Sequence, residues 1–200
     1  RRGVAVEEIK VSGGRTSGVR LAGGEEIAAH RVASSIDPHW TFEKLLDADH
    51  LPENFRRAVS RIDYSSASMK VNLAVSELPN FTCLPGNDEV NPQHRGTIHI
   101  GATLDYLERA YDDAKYGQPS ARPIVEMTIP TSVDKTLTPA GHHILSLFVQ
   151  YAPFELADGK NWDDVKEEVA DRCVAEIARH APNVPASILH RQVISPLDLE

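Results

Sequence analysis

The chain has 200 residues, 41% of them hydrophobic and 25% charged, enough for one well-filled core with a smaller satellite. A formal net charge of −8 at pH 7 argues against a nucleic-acid backbone as partner. No apolar run approaches the roughly 18 to 20 residues that a membrane-spanning helix needs. Cys83 and Cys173 stand far apart without CxxC spacing, which supports neither a disulfide framework nor a zinc ribbon. The opening Arg1-Arg2-Gly3-Val4 has no apolar core of a signal peptide, and the expected location is cytoplasmic. With no starting Met and no polar tail after Pro196-Leu197-Asp198-Leu199-Glu200, both ends read as cut from a longer polypeptide.

In chain order, residues 4 to 36 read as a small β-meander. Val4, Val6 and Ile9 lead into the turn Ser12-Gly13-Gly14-Arg15; Gly18 to Leu21 alternates, and Gly23-Gly24 turns the chain again. A third strand is expected over Ile27 to Ile36, ending at Asp37-Pro38. Helical spacing follows from Trp40, with Thr41 as N-cap and Phe42, Leu45 and Leu46 on the apolar stripe. A second short helix is expected from Pro52, with Phe55, Ala58, Val59 and Ile62 on one stripe.

Residues 64 to 77 alternate as a strand, with Met69, Val71, Leu73 and Val75 on one face and Lys70, Asn72 and Ser76 on the other. An irregular loop over 79 to 95 precedes a strand at Thr97–Gly101 and a helix at Leu104–Tyr116. A strand over 123 to 129 comes next. His142 to Tyr151 reads as a buried strand, Trp162 to His180 as the clearest helix, and Ile188 to Ile194 as a last strand. Without regular βαβ alternation, the expected class is α+β, a mostly antiparallel sheet with flanking helices plus the meander.

Few motifs carry chemistry by themselves. His142 and His143 are adjacent in a strand and point to opposite faces, so they do not share a metal, and no HExxH spacing occurs. No GxSxG elbow, GxGxxG turn or Walker loop is present; the two glycine pairs are hairpin turns. Lys70, mid-strand on a polar face, reads by itself as a solvated surface lysine.

Longer stretches resemble a known plan. Val6-Glu7-Glu8-Ile9, Gly18-Val19-Arg20-Leu21 and Val32-Ala33-Ser34-Ser35-Ile36-Asp37-Pro38 are similar to the middle FAD-domain segment of amine-oxidase-like and phytoene-desaturase-like flavoproteins. Leu78-Pro79-Asn80-Phe81, Arg122 to Glu126, Ile129-Pro130-Thr131-Ser132, Ser146 to Tyr151, Gly159 to Asp163 and Pro196 to Glu200 extend the likeness toward one branch of that group.

The resemblance implies an internal fragment of an FAD-dependent oxidoreductase. Residues 1–37 would belong to a split FAD-binding domain and residues 38–200 to a substrate-binding domain, incomplete at its C-terminus. It implies that Val6 lies against the adenine and that Ser34 and Ser35 end a strand approaching the cofactor. Lys70 matches loosely a lysine bonded through water to flavin N5. Hydride would pass from a carbon centre of a lipophilic small molecule to FAD, which the fragment alone is not expected to retain. The rival expectation, from a different class, is a non-catalytic ligand-binding or interaction domain with a groove over its sheet.

Overall fold

A computed structural model describes residues 1–63, 68–101 and 103–199. The chain forms two compact units, Arg1–Tyr64 and Ser65–Glu200. The first four residues of the strand expected over 64 to 77 lie outside the described residues.

The first unit is built on the antiparallel meander β1 (Val6–Ser12), β2 (Arg15–Leu21) and β3 (Glu26–Ala28). Gly13 and Gly14 both take positive φ, 58° and 75°, and close a two-residue hairpin between the paired Ser12 and Arg15. That backbone sense matches the right-handed strand twist, so the glycine pair acts as a turn. Gly18 has a different reason to be glycine: a Cβ there would lie 2.2 Å from the carbonyl oxygen of Ile27 on β3.

Two expectations fail in this unit. The third strand stops at Ala28, because residues 31–36 find no backbone hydrogen bond among the described residues. An alternating pattern specifies which face turns inward; a ladder also needs a neighbouring strand. Thr41 is not an N-cap either. It lies inside a π-helical turn, Trp40–Lys44, and the carboxylate of Asp37 accepts the Trp40 N–H at 3.0 Å. The second expected helix is present as α1 (Glu53–Val59), with Pro52 at its N-cap.

The second unit is a five-stranded antiparallel sheet in the order β5-β6-β7-β4-β8, from β4 (Ser68–Val75), β5 (Thr97–Ile100), β6 (Ile124–Thr128), β7 (His143–Gln150) and β8 (Ile188–Ile194). The helices α2 (Leu104–Lys115) and α3 (Trp162–Ala178) complete it, making the α+β class plain. Met69, Val71, Leu73 and Val75 are fully buried and lie opposite Val149, Leu147, Leu145 and His143. Trp162, Val169, Ala170, Cys173 and Ile177 of α3 belong to the same apolar cluster. The helix starts cleanly: the Asn161 side chain accepts the Asp163 N–H at 2.9 Å, and Asp163 and Asp164 place negative charge at the positive end of the dipole.

β7 corrects a further expectation. It is not buried on both sides: Leu145, Leu147 and Val149 enter the core while Phe148 is 39% exposed, so the strand alternates as a one-sided antiparallel strand does. His142 precedes this strand; only His143 belongs to it.

A polar lock that no sequence motif announced joins α2, α3 and the start of β6. Glu176 is 4% exposed and accepts both Nε (3.0 Å) and Nη2 (2.9 Å) of Arg122, whose guanidinium stacks 4.8 Å from the centroid of the Tyr106 ring. The Tyr106 hydroxyl donates to the Pro123 carbonyl at 2.8 Å. Burial, with Glu176 nearby, raises the Tyr106 phenol to about 12, while Arg122 holds the Glu176 carboxyl below its usual range.

Candidate functional site

Lys70 sits in the middle of β4 on the face turned away from the core. Directly opposite are Phe148 of β7 and Ile194 of β8, and the same cross-strand row continues through Glu126 of β6 to His99 of β5. Pairing of opposite residues places all five side chains on one face. His99 Nδ1 and Glu126 Oε1 are 3.9 Å apart. Lys70 is half-buried, and no carboxylate pairs with it among the described residues. The apolar bodies of Phe148 and Ile194 flank its stem, and its ammonium is left to solvent or to a ligand.

The next row along the strands is polar and internally bonded. Ser146 Oγ donates to Asn72 Oδ1 at 2.9 Å, and Asn72 Nδ2 donates to Gln192 Oε1 at 3.1 Å. This ladder spans β7, β4 and β8, and its two bonds do not involve the lysine. The strand alternation showed that Asn72 shares the face of Lys70. The ladder itself was invisible in the sequence, because Gln192 is 120 residues from Asn72.

The first unit holds a separate cleft of about 430 Å³ over the meander, lined among others by Ile9, Val11, Val32, Ser34, Thr41 and Phe42. Ser34 Oγ lies 2.8 Å from Oγ1 of Thr41, itself 6% exposed. Of the three cofactor-binding candidates, Ser34 reaches this cleft. Val6 pairs with Leu21 at the start of β1 and Ser35 is exposed; neither lines it. Thr41, which the sequence suggested only as a cap, is the buried partner of Ser34.

Other chemistry is sparse. Among the described residues no group of three or more His, Cys, Asp or Glu side chains is placed to hold a metal ion. No helix of those residues is long and apolar enough to cross a membrane. Burial pushes the Cys173 thiol up to about 12, whereas Cys83 is exposed in its loop. A thiol reagent added to the folded chain should therefore label Cys83 and spare Cys173, with the second thiol appearing only in denaturant. Two thiols reacting at equal rates under native conditions would contradict that burial.

Comparison with known proteins gives first a shared fold and then relatives in sequence. The crystal structure of an oxidoreductase from Methanosarcina mazei superposes with a TM-score of 0.52 at 18% identity, covering 96% of this chain and 37% of the other, which shows a shared fold. One relative in sequence is pyridine nucleotide-disulfide oxidoreductase domain-containing protein 2. The rat protein is 42% identical over 194 residues, covering 94% of this chain and 33% of the relative. Prolycopene isomerase of Daucus carota is 28% identical over 96% of the chain and 28% of the isomerase. A zeta-carotene-forming phytoene desaturase of Myxococcus xanthus is 28% identical over 74% of the chain and 25% of the desaturase. No protein-family profile matches. The resemblance read from the motifs is thereby borne out, and the chain spans about a third of the length of the relatives it matches.

Proposed function

We propose that this chain is the substrate-domain part of an FAD-dependent oxidoreductase, with residues 1–37 contributed to the FAD-binding domain and residues 38–200 to the substrate domain. The observation that carries the reading is the 42% identity to the rat protein over 94% of the chain. A flavin, when bound, supplies the chemistry: it takes up hydride from a carbon centre. The names of the isomerase and desaturase relatives favour a lipophilic small-molecule substrate.

The residues of this chain fit only part of that cofactor. A pyrophosphate is held by the backbone amides of a glycine-rich turn leading into a helix N-terminus. Gly13-Gly14 connects β1 to β2, and Gly23-Gly24 turns the chain from β2 toward β3, so neither pair leads into a helix. The phosphate cradle is thus assigned to polypeptide outside these 200 residues. In this reading Val6 contributes backbone beside the adenine, Ser34 and Ser35 approach the cofactor from the segment that follows β3, and Lys70 lends positive charge on the open face of the sheet.

The test is flavin content. The isolated 200-residue chain should purify colourless and take up no FAD. The longer polypeptide that contains it should hold flavin and carry an upstream GxGxxG strand-turn-helix. A longer polypeptide without that motif and without flavin uptake would remove the reading and leave a ligand-binding domain in its place.

A further inference from the structure

We propose that the open face of the five-stranded sheet holds a long-chain carboxylate, its head group bound by Lys70 of β4 and Gln192 of β8. Both side chains are left with donors that meet no acceptor among the described residues. The polar ladder decides this for Gln192. Ser146 Oγ gives its proton to Asn72 Oδ1, so the Asn72 amide turns its NH2 group toward β8 and donates to Gln192 Oε1. The Gln192 carbonyl is thereby used, and its own NH2 group, which can only donate, is the free end of the row. Lys70 Nζ adds three donors and a full positive charge.

The strand register brings these two side chains together. Lys70 lies opposite Ile194 and Asn72 opposite Gln192, so Lys70 and Gln192 are diagonal neighbours on one face. Diagonal neighbours on adjacent strands stand about 7–8 Å apart, within the reach of two long side chains. An ammonium and an amide NH2 group at that separation suit a carboxylate, which has an oxygen for each and the charge to match Lys70. A neutral hydroxyl would accept from one donor and leave the lysine uncompensated.

Charge and apolar surface on the same face fix where the ligand lies. Glu126 of β6 is the only carboxylate in the cross-strand row of Lys70, two strands away and beside His99. Two strand spacings are about 10 Å, so the negative end of the row is on β6 and the positive end on β4. An anion is repelled from the β5–β6 side and drawn to the β4–β8 side. In a chain of net charge −8, that attraction depends on Lys70. Phe148, 39% exposed, and half-buried Ile194 flank the lysine on its two sides. They offer the hydrocarbon part of the ligand an apolar surface beside its head group. The site stands on this face alone and does not rest on the flavin reading, although a lipophilic substrate with an acidic head fits both. With a flavin bound, Lys70 would serve the cofactor, so the test uses the flavin-free chain.

The probes are decanoate and decanol, equal in length and different in charge, titrated into the isotope-labelled 200-residue chain and followed by NMR. Decanoate should shift the side-chain NH2 signals of Gln192 and the backbone amides of Lys70 and Gln192, while Leu145 and Ile177 in the core stay unmoved. Decanol should bind more weakly by about tenfold or more, the worth of one charge-assisted hydrogen bond. Decanoate should lose the same factor in Lys70→Met. Gln192→Glu, which sets a carboxylate beside Lys70, should abolish decanoate binding. The two probes on the unsubstituted chain decide the matter without the variants: equal affinity for decanol, or decanoate shifts absent from Lys70 and Gln192, overturns the proposal. Undiminished decanoate binding in folded Lys70→Met overturns it as well.

Discussion

Replacing Trp162 by alanine should destabilise the second unit by about 3–5 kcal/mol, the cost of emptying a large aromatic site in a packed core. Trp162 is 1% exposed and opens α3, where its ring fills space in the apolar cluster of the sheet and its Nε1–H donates to the Pro153 carbonyl at 2.9 Å. The alanine variant loses the packing and leaves that carbonyl without its donor. Trp162→Phe keeps most of the ring volume and loses the hydrogen bond, so about 1–2 kcal/mol is expected. Domains of this size have about 5–15 kcal/mol in total, so the alanine variant should lose a large share of its stability margin. Urea unfolding followed by the loss of far-ultraviolet dichroism measures both. A lowered midpoint at constant slope is expected. A loss below about 1 kcal/mol for Trp162→Ala would mean that α3 does not hold the sheet as described.

Lys70→Met in the full-length polypeptide should slow flavin reduction or reoxidation by at least tenfold, about 1.4 kcal/mol in barrier. Stability should not change with it. Methionine has nearly the reach of lysine, and its neighbours across the strands, Phe148 and Ile194, are apolar. No carboxylate among the described residues is left unpaired by the substitution. The kinetic effect is therefore attributable to charge. A positive group beside the ring of a bound flavin favours the electron-rich reduced form, and its removal acts on the flavin steps alone. Rapid-mixing absorbance of the flavin separates the two half-reactions. Normal folding with unchanged rates in both would return Lys70 to the role of a solvated strand lysine.

Much of this was legible in the residues. The alternation from Met69 to Val75 fixed which face of β4 enters the core, because strand side chains change sides at every step. Ile188 to Ile194 was read with the boundaries the structure shows, and the helix expected over Trp162 to His180 is α3. The glycine pairs were recognisable as turns for the same local reason.

What failed, or stayed hidden, depended on residues distant in sequence. Residues 31–36 have the pattern of a strand and lack a ladder, since hydrogen-bond partners are a property of the neighbourhood and not of the segment. β7 read as buried throughout because Phe148 is apolar; only the one-sided packing of the sheet shows that it faces outward. The Glu176–Arg122 pair, 54 residues apart, the Ser146–Asn72–Gln192 ladder and the burial of His94 each join groups that no local spacing relates. The sequence by itself determined the periods and the turns, which act over one or two helical turns or a single strand. The tertiary structure decided the strand order, the exposed face around Lys70 and the polar pairs, because those follow from which distant segments exclude water from one another.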